Sequence, residues 1–418
     1  MNKVYVKRIV AVIAITGVFF SMTGCSNKIR SNNLMKNVKA NTVEKRDIDD
    51  KFIKQTANFS VNLFQKSAKN NENSLISPIS VMMALSMTAN GADSTTKEEM
   101  EQVLAAGSSV DDWNEYLYSY RNQLSSDEDS KLSMANSIWF RDDKDRLKVE
   151  PDFLKKNATY YRAEAYEAPF DQTTVDDINQ WVKEHTDGMI DNMVDRINKE
   201  SIMYLLNAVV FDAKWEKPYT KNDVNSSEFT TWDGTIRSVD MMSSDESMYL
   251  DDGDATGFIK NYKGGQYSFV ALLPNEGTNV NEYLESLTGE HLLSIIENAQ
   301  SSTVATRIPK FSYNYTINMN DALIELGLQT AFDSDTADFS KLGSSSNGNI
   351  YIGEVLHKSY ISVDELGTKA GAVTKVEMME TTSIGSGYEV FLNRPFVYAI
   401  IDNNTKLPIF LGTVMDIN

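Results

Sequence analysis

Cysteine is nearly missing from this chain of 418 residues: Cys25 is the only one, so no intramolecular disulfide can form. Histidine is almost as scarce. His185, His291 and His357 are far apart in sequence, and none belongs to a His-Glu-x-x-His pair. The chain has no P-loop and no Gly-x-Ser-x-Gly, so no catalytic motif argues for an enzyme. Acidic residues are scattered rather than spaced as a calcium loop, so neither metal nor cofactor is expected. Positive charge is in deficit: 40 Lys and Arg against 59 Asp and Glu give a formal charge of −19. Such a surface repels nucleic acid and anionic lipid headgroups, and no basic helical patch suggests glycosaminoglycan control. No Pro-rich or Gly/Ser-rich stretch divides residues 50–418, and no period of 20–50 residues marks a solenoid. One large domain is the expectation, with ample length for a core.

What is present begins with a targeting signal. Lys3, Lys7 and Arg8 precede an apolar run from Ile9 to Phe20, too short for a comfortable membrane span. Met22-Thr23-Gly24-Cys25 follows and resembles the bacterial lipobox, although Met22 stands where Leu is usual. Residues 1–24 are therefore expected to be a lipoprotein signal peptide, whose removal leaves a charge of −22. Cys25 is the expected lipidation site, which places the chain on the extracellular face of the cell membrane or secretes it. One acyl chain anchors weakly; a diacylglycerol on the Cys, as the lipoprotein resemblance implies, holds better. Residues 25–48, rich in Asn, Lys and Ser, are expected to be a disordered tether.

Residues 50–68 have helical spacing through Phe52, Phe59, Leu63 and Phe64. Ser77 is placed to N-cap a helix with Pro78 in its first turn, and the apolar run to Ala89 predicts burial on all sides. Thr96 with Glu99 predicts a capping box. Residues 203–215 predict a long strand buried on both faces. Phe258–Pro274, Thr303–Ser312 and Tyr351–Val363 predict further strands, and Asn318–Leu328 a short helix. Helices early and strands late indicate an α+β protein.

The segments at Asn73–Gly91, Leu206–Val209, Lys214–Tyr219, Pro309–Phe311, Leu326–Leu328, Asn393–Phe396 and Thr405–Gly412 follow the order seen in serpins. So does His357-Lys358-Ser359-Tyr360-Ile361-Ser362-Val363-Asp364-Glu365-Leu366-Gly367-Thr368, leading into a run of small residues. Residues 49–418 therefore resemble a serpin domain. The resemblance implies three β-sheets, about eight or nine helices and an exposed reactive-centre loop. It also implies a monomer that inhibits serine, or cysteine, proteases irreversibly: the protease acylates itself on the loop, which then enters the central sheet and carries the protease with it.

By the same resemblance Glu365, Gly367, Thr368, Ala370, Gly371, Ala372 and Thr374 form the hinge. Ser77, Ser80, Asn207 and His357 lie where the strands must part, and Trp215 where the loop first enters. Alternate side chains of a strand face opposite sides. The even positions 368, 370, 372, 374, 376 and 378 are small or apolar. The odd ones are more polar, with Lys369 expected to face solvent. Val373, in place of a usual Ala, is expected to slow insertion slightly. Insertion of about 12–14 residues at ~0.5–1.5 kcal/mol per hydrogen bond would release on the order of 10–20 kcal/mol.

Family spacing from Glu365 puts the bait at Thr381, with cleavage before Thr382. Counting back from Asn393 lands nearer Ile384, and Glu380, Thr382 and Ser383 stay open. A Thr bait suits proteases of elastase or subtilisin type, a Glu380 bait a Glu-specific one. The alternative is a non-inhibitory member of the family acting as a binding or chaperone protein.

Overall fold

The computed structural model describes residues 28–124, 128–143, 147–198, 201–346, 348–368 and 387–417. Helices gather early: α1 (Asp50–Ser67), α2 (Pro78–Ala89), α3 (Ser94–Ala105), α4 (Val110–Gln123), α5 (Pro151–Tyr161) and α6 (Gln172–His185). Later come α7 (Val280–Ser286), α8 (Gly289–Glu297) and α9 (Asn320–Glu325). A seven-stranded sheet runs β1 (Asn32–Asn33), β5 (Glu164–Ala168), β3 (Ser130–Arg141), β6 (Met203–Lys214), β15 (Gly367–Thr368), β14 (Glu354–Val363), β12 (Phe311–Asn318). A nine-stranded sheet runs β16 (Tyr388–Phe391), β11 (Gln300–Pro309), β8 (Ile236–Asp251), β9 (Ala255–Asn261), β10 (Tyr267–Pro274), β17 (Phe396–Asp402), β18 (Pro408–Val414), β2 (Ser74–Ile76), with β7 (Val224–Thr230) on β8. A third, small sheet pairs β4 (Leu147–Val149) with β13 (Gly343–Ser345).

The largely apolar sequence of β6, interrupted by Asn207 and Asp212, reflects two covered faces. Met203, Leu205, Val209, Phe211 and Ala213 join the main core, where every residue of α2 is buried. Tyr204, Leu206, Ala208 and Val210 lie against Ile178, Trp181 and Val182 of α6 and against Met193 and Val194 of the segment after it. That segment straddles β6: Lys131 of β3 pairs with Asp187, and the Lys358 ammonium of β14 donates to the Asn192 carbonyl. The outward face of the central strands is thus covered along much of its length rather than open to solvent.

Several local expectations need correction. Ser77 stands at the N-cap of α2, but its hydroxyl makes no capping bond. Thr96 and Glu99 form no capping box: α3 starts at Ser94, capped by Asp93. Thr96 instead accepts from the Asp338 N–H at 3.0 Å and Glu99 from the Thr330 N–H at 2.8 Å, stitching α3 to a distant loop. The long strand 258–274 is two strands joined by a turn at Gly264-Gly265, both with positive φ, and Lys310 breaks 303–312 between β11 and β12. The helix expected over 318–328 is confined to α9.

The largest correction concerns the tether. Residues 28–48 lie along the body rather than apart from it. Asn32 and Asn33 add a strand to β5 opposite Glu167 and Tyr166, and the Leu34 N–H donates to Ala165 O at 2.9 Å. Asp177 of α6, 3% exposed, accepts from Arg30 N and Nε and from Ser31 N and Oγ at 2.7–3.0 Å. Leu34, Met35, Val38 and Ile48 pack on the core. Composition counted too few apolar residues for folding alone; it could not see the free sheet edge and buried carboxylate that supply the rest. Replacing Asp177 with Ala is expected to cost about 2 kcal/mol and to open residues 28–48 to limited proteolysis while the body stays resistant. Mass spectrometry of the digest against wild type checks this.

Candidate functional site

The centre of the seven-stranded sheet has two regimes. β6 and β14 pair in parallel over six residue pairs, from Tyr204 with Glu354 to Val209 with Ser359. Above that the two strands part, and β15 lies between them, antiparallel to both. Thr368 stands opposite Ala213 on one side and Val363 on the other. The chain comes so close that a Cβ on Gly367 would sit 2.0 Å from the Ala213 carbonyl oxygen, so only glycine fits there. Thr368 is buried, its hydroxyl within 2.5 Å of the Tyr262 hydroxyl.

Aromatic residues frame this opening. The backbone N–H of Trp215 donates to Leu366 O at 2.8 Å, its indole N–H to Asp364 O at 2.9 Å, and Tyr219 N to Glu365 O at 2.9 Å. Trp215 is fully buried and stacks on Tyr262, ring centroids 4.5 Å apart and 9° from parallel. Lys310 grips the Glu365 carboxylate at 2.5 Å.

Below the parting, a polar cluster lies between the sheet and α2. The His357 Nδ1–H donates to Asn207 Oδ1 at 2.7 Å, and the Asn207 amide donates to Ser80 Oγ and to Asn136 Oδ1. His357 Nε2 accepts the Ser77 N–H at 3.2 Å, and Ser359 Oγ donates to Leu75 O at 2.7 Å. The Ser77 hydroxyl is buried without a partner. Because Nε2 must accept, the ring is neutral, and burial pushes its pKa down to about 3.

The structure thus brings Ser77, Ser80, Asn207 and His357 into one cluster, and Glu365, Gly367 and Thr368 beside Trp215. Ala370, Gly371, Ala372, Thr374, the candidate bait residues Glu380, Thr381, Thr382 and Ser383, and Cys25 lie outside the described residues. Sequence reasoning missed Asn136, Ser359, Tyr262 and Lys310. Asn136 stands directly opposite Asn207 across the β3–β6 ladder, a pairing that only the strand register reveals. Tyr262 carried no signal: it follows β9, bridges to Trp215, and its ring reaches Thr368.

An acid titration tests the cluster. The folded pKa of His357 lies below the unfolded one, so the unfolded chain binds the extra proton between about pH 6.5 and 3. Its contribution is present above pH 6.5 and is lost on acidification at up to about 1.4 kcal/mol per pH unit. Denaturant melts should show His357→Asn costing about 1–3 kcal/mol at pH 7, with the deficit against wild type shrinking towards pH 4. A deficit constant with pH would contradict the neutral buried ring.

Comparison with known proteins agrees with this geometry. The serpin (serine protease inhibitor) family matches residues 54–417. An uncharacterized serpin-like protein of Thermococcus kodakarensis is 30% identical over 366 residues, covering 86% of this chain and 84% of its own length. The thermophilic serpin tengpin in its native state is 51% identical, with a TM-score of 0.90 over 93% of this chain and all of its own. Tengpin in its latent state matches at a TM-score of 0.80, 50% identity, over 90% of this chain and all of its own. A match spanning nearly the whole domain, on a fold whose central sheet is parted around Gly367 and Thr368, makes this chain a member of the serpin family.

Proposed function

We propose that this serpin is an irreversible, single-use inhibitor of serine proteases that works by inserting its cleaved loop into the seven-stranded sheet. The observation that carries the proposal is β15. Two residues of the hinge already lie between β6 and β14 in the register an inserted strand needs. Continuing that register brings position 372 opposite Val209 and Ser359, and position 374 opposite Asn207 and His357. Insertion would replace one parallel junction, the slightly weaker kind per residue, with two antiparallel ones. The even positions 370 to 378 would follow Thr368 onto the core face, where small side chains fit. Separating Asn207 from His357 breaks their hydrogen bond, and the Thr374 hydroxyl, both donor and acceptor, is suited to replace it.

In this reading the chain supplies no catalytic residue. The protease acylates itself at the bait, with Thr381 favoured and Glu380, Thr382 and Ser383 as alternatives, and is deformed before it can deacylate. A Thr bait points to elastase- or subtilisin-like targets. The positive head, short apolar run and Cys25 support export and lipid anchoring at the outer cell surface.

Two outcomes are expected. Cleavage in the loop should raise the melting temperature by tens of degrees, given ~10–20 kcal/mol from about a dozen new hydrogen bonds; calorimetry of nicked and intact protein decides it, and equal melting would end the insertion reading. Thr368→Arg puts a charge where Thr368 is 2% exposed, at several kcal/mol. Its yield of SDS-stable protease complex should fall by an order of magnitude while loop cleavage continues. Mass spectrometry of the released peptide fixes the bait bond.

A further inference from the structure

Lys260, one residue before the end of β9, is 1% exposed, an unusual place for an ammonium group. Its Nζ lies 2.6 Å from Glu246 Oε1 of β8, whose side chain is itself 12% exposed. The same Nζ stands 4.4 Å from the ring centroid of Tyr219 and 5.4 Å from that of Trp215. Ser244 completes the enclosure, its hydroxyl donating to Glu246 Oε1 at 2.7 Å and lying 3.2 Å from the Tyr219 hydroxyl. Burial pushes the Lys260 ammonium pKa down, and the Glu246 carboxylate opposes the shift.

A pair buried this deeply is a poor source of stability. The cost of removing two charges from water offsets most of their attraction, and apolar residues of similar volume often do as well. What the pair does hold is the position of two rings. Tyr219 and Trp215 are the residues whose N–H groups bind the carbonyls of Asp364, Glu365 and Leu366, the turn leading into β15. A desolvated cation over an aromatic face is worth about 2 kcal/mol and depends on ring orientation. Trp215 passes that orientation to Tyr262 by stacking, and Tyr262 to the Thr368 hydroxyl. A continuous chain of contacts therefore joins Glu246, Lys260, the Tyr219 and Trp215 rings and the hinge.

We propose that Lys260 is a positioning residue for loop insertion: held by Glu246 over Tyr219 and Trp215, it keeps the hinge at its two-residue stage of insertion until the loop is cut. The inference rests on the loop-insertion reading. It assigns Lys260 a role in timing rather than in overall stability.

The test compares intact and loop-cleaved full-length protein. Lys260→Met alone would strand a buried carboxylate, so the first variant is the pair Lys260→Met with Glu246→Leu. The second is Tyr219→Leu, which removes one ring and leaves the ion pair. Each is held at a temperature where wild type slowly loses its ability to form SDS-stable complex with a subtilisin-type protease. Both variants should lose it about tenfold faster, corresponding to about 1.4 kcal/mol, while their cleaved forms unfold at the same denaturant concentration as cleaved wild type. Loss at the wild-type rate overturns the role of Lys260. So does an equal drop in the stability of intact and cleaved forms, which marks a plain packing effect. If cleavage of wild type itself brings no rise in melting temperature, the insertion reading fails first and this proposal falls with it.

Discussion

The parallel junction between β6 and β14 is the constraint on which the molecule turns. Parallel neighbours in a sheet are joined by long connections and pair slightly less well than antiparallel ones. Here the junction lasts six residue pairs and then gives way to a wedge occupied by Gly367 and Thr368. Everything around it suits a seam that holds without being locked. Beneath it the polar cluster of His357, Asn207, Ser80 and Asn136 satisfies hydrogen bonds across strands and helix. Such groups are expensive to leave unpaired, so opening the seam, as the proposed insertion requires, would need a replacement for each lost partner. Above it, α6 and the segment following it cover the β6 side chains a newcomer would have to slide past.

Much of this architecture was legible in residues. The mostly apolar sequences of α2 and β6 announce burial on every side, because only a sandwiched helix or strand can be written that way. Gly367, expected as part of the segment after Glu365, proves to be where two backbones nearly touch. What could not be read was partnership at a distance. Thr96 and Glu99 obey the local rule for a capping box but spend their hydrogen bonds on residues more than 200 positions away. Asn136, Ser359 and Tyr262 become visible only once register puts them beside Asn207, Leu75 and Thr368. Residues 28–48 failed for a related reason. Their affinity comes from an open strand edge and a buried carboxylate on other elements, and composition counts only what a segment carries itself.

The two rings at the hinge illustrate how a polar residue can organise an aromatic site. Trp215 alone would read as core packing. Its indole N–H, its backbone N–H and the neighbouring Tyr219 N–H together satisfy three consecutive carbonyls at the top of the sheet. The turn at 364–366 is thereby held by donors from the segment after β6.

The strand contributed by Asn32 and Asn33 has one more effect. It leaves the large sheet asymmetric at its margins: the β5 side is closed by the chain's own beginning, whereas the β12 side ends, among the described residues, without a further strand. Ser312, Asn314, Thr316 and Asn318 line the exposed side of that second margin, a polar surface that discourages sticking. A molecule stripped of its first fifty residues would carry bare margins on both flanks. Recombinant material cut back to the family-matched residues 54–417 is therefore more prone to join its neighbours side by side.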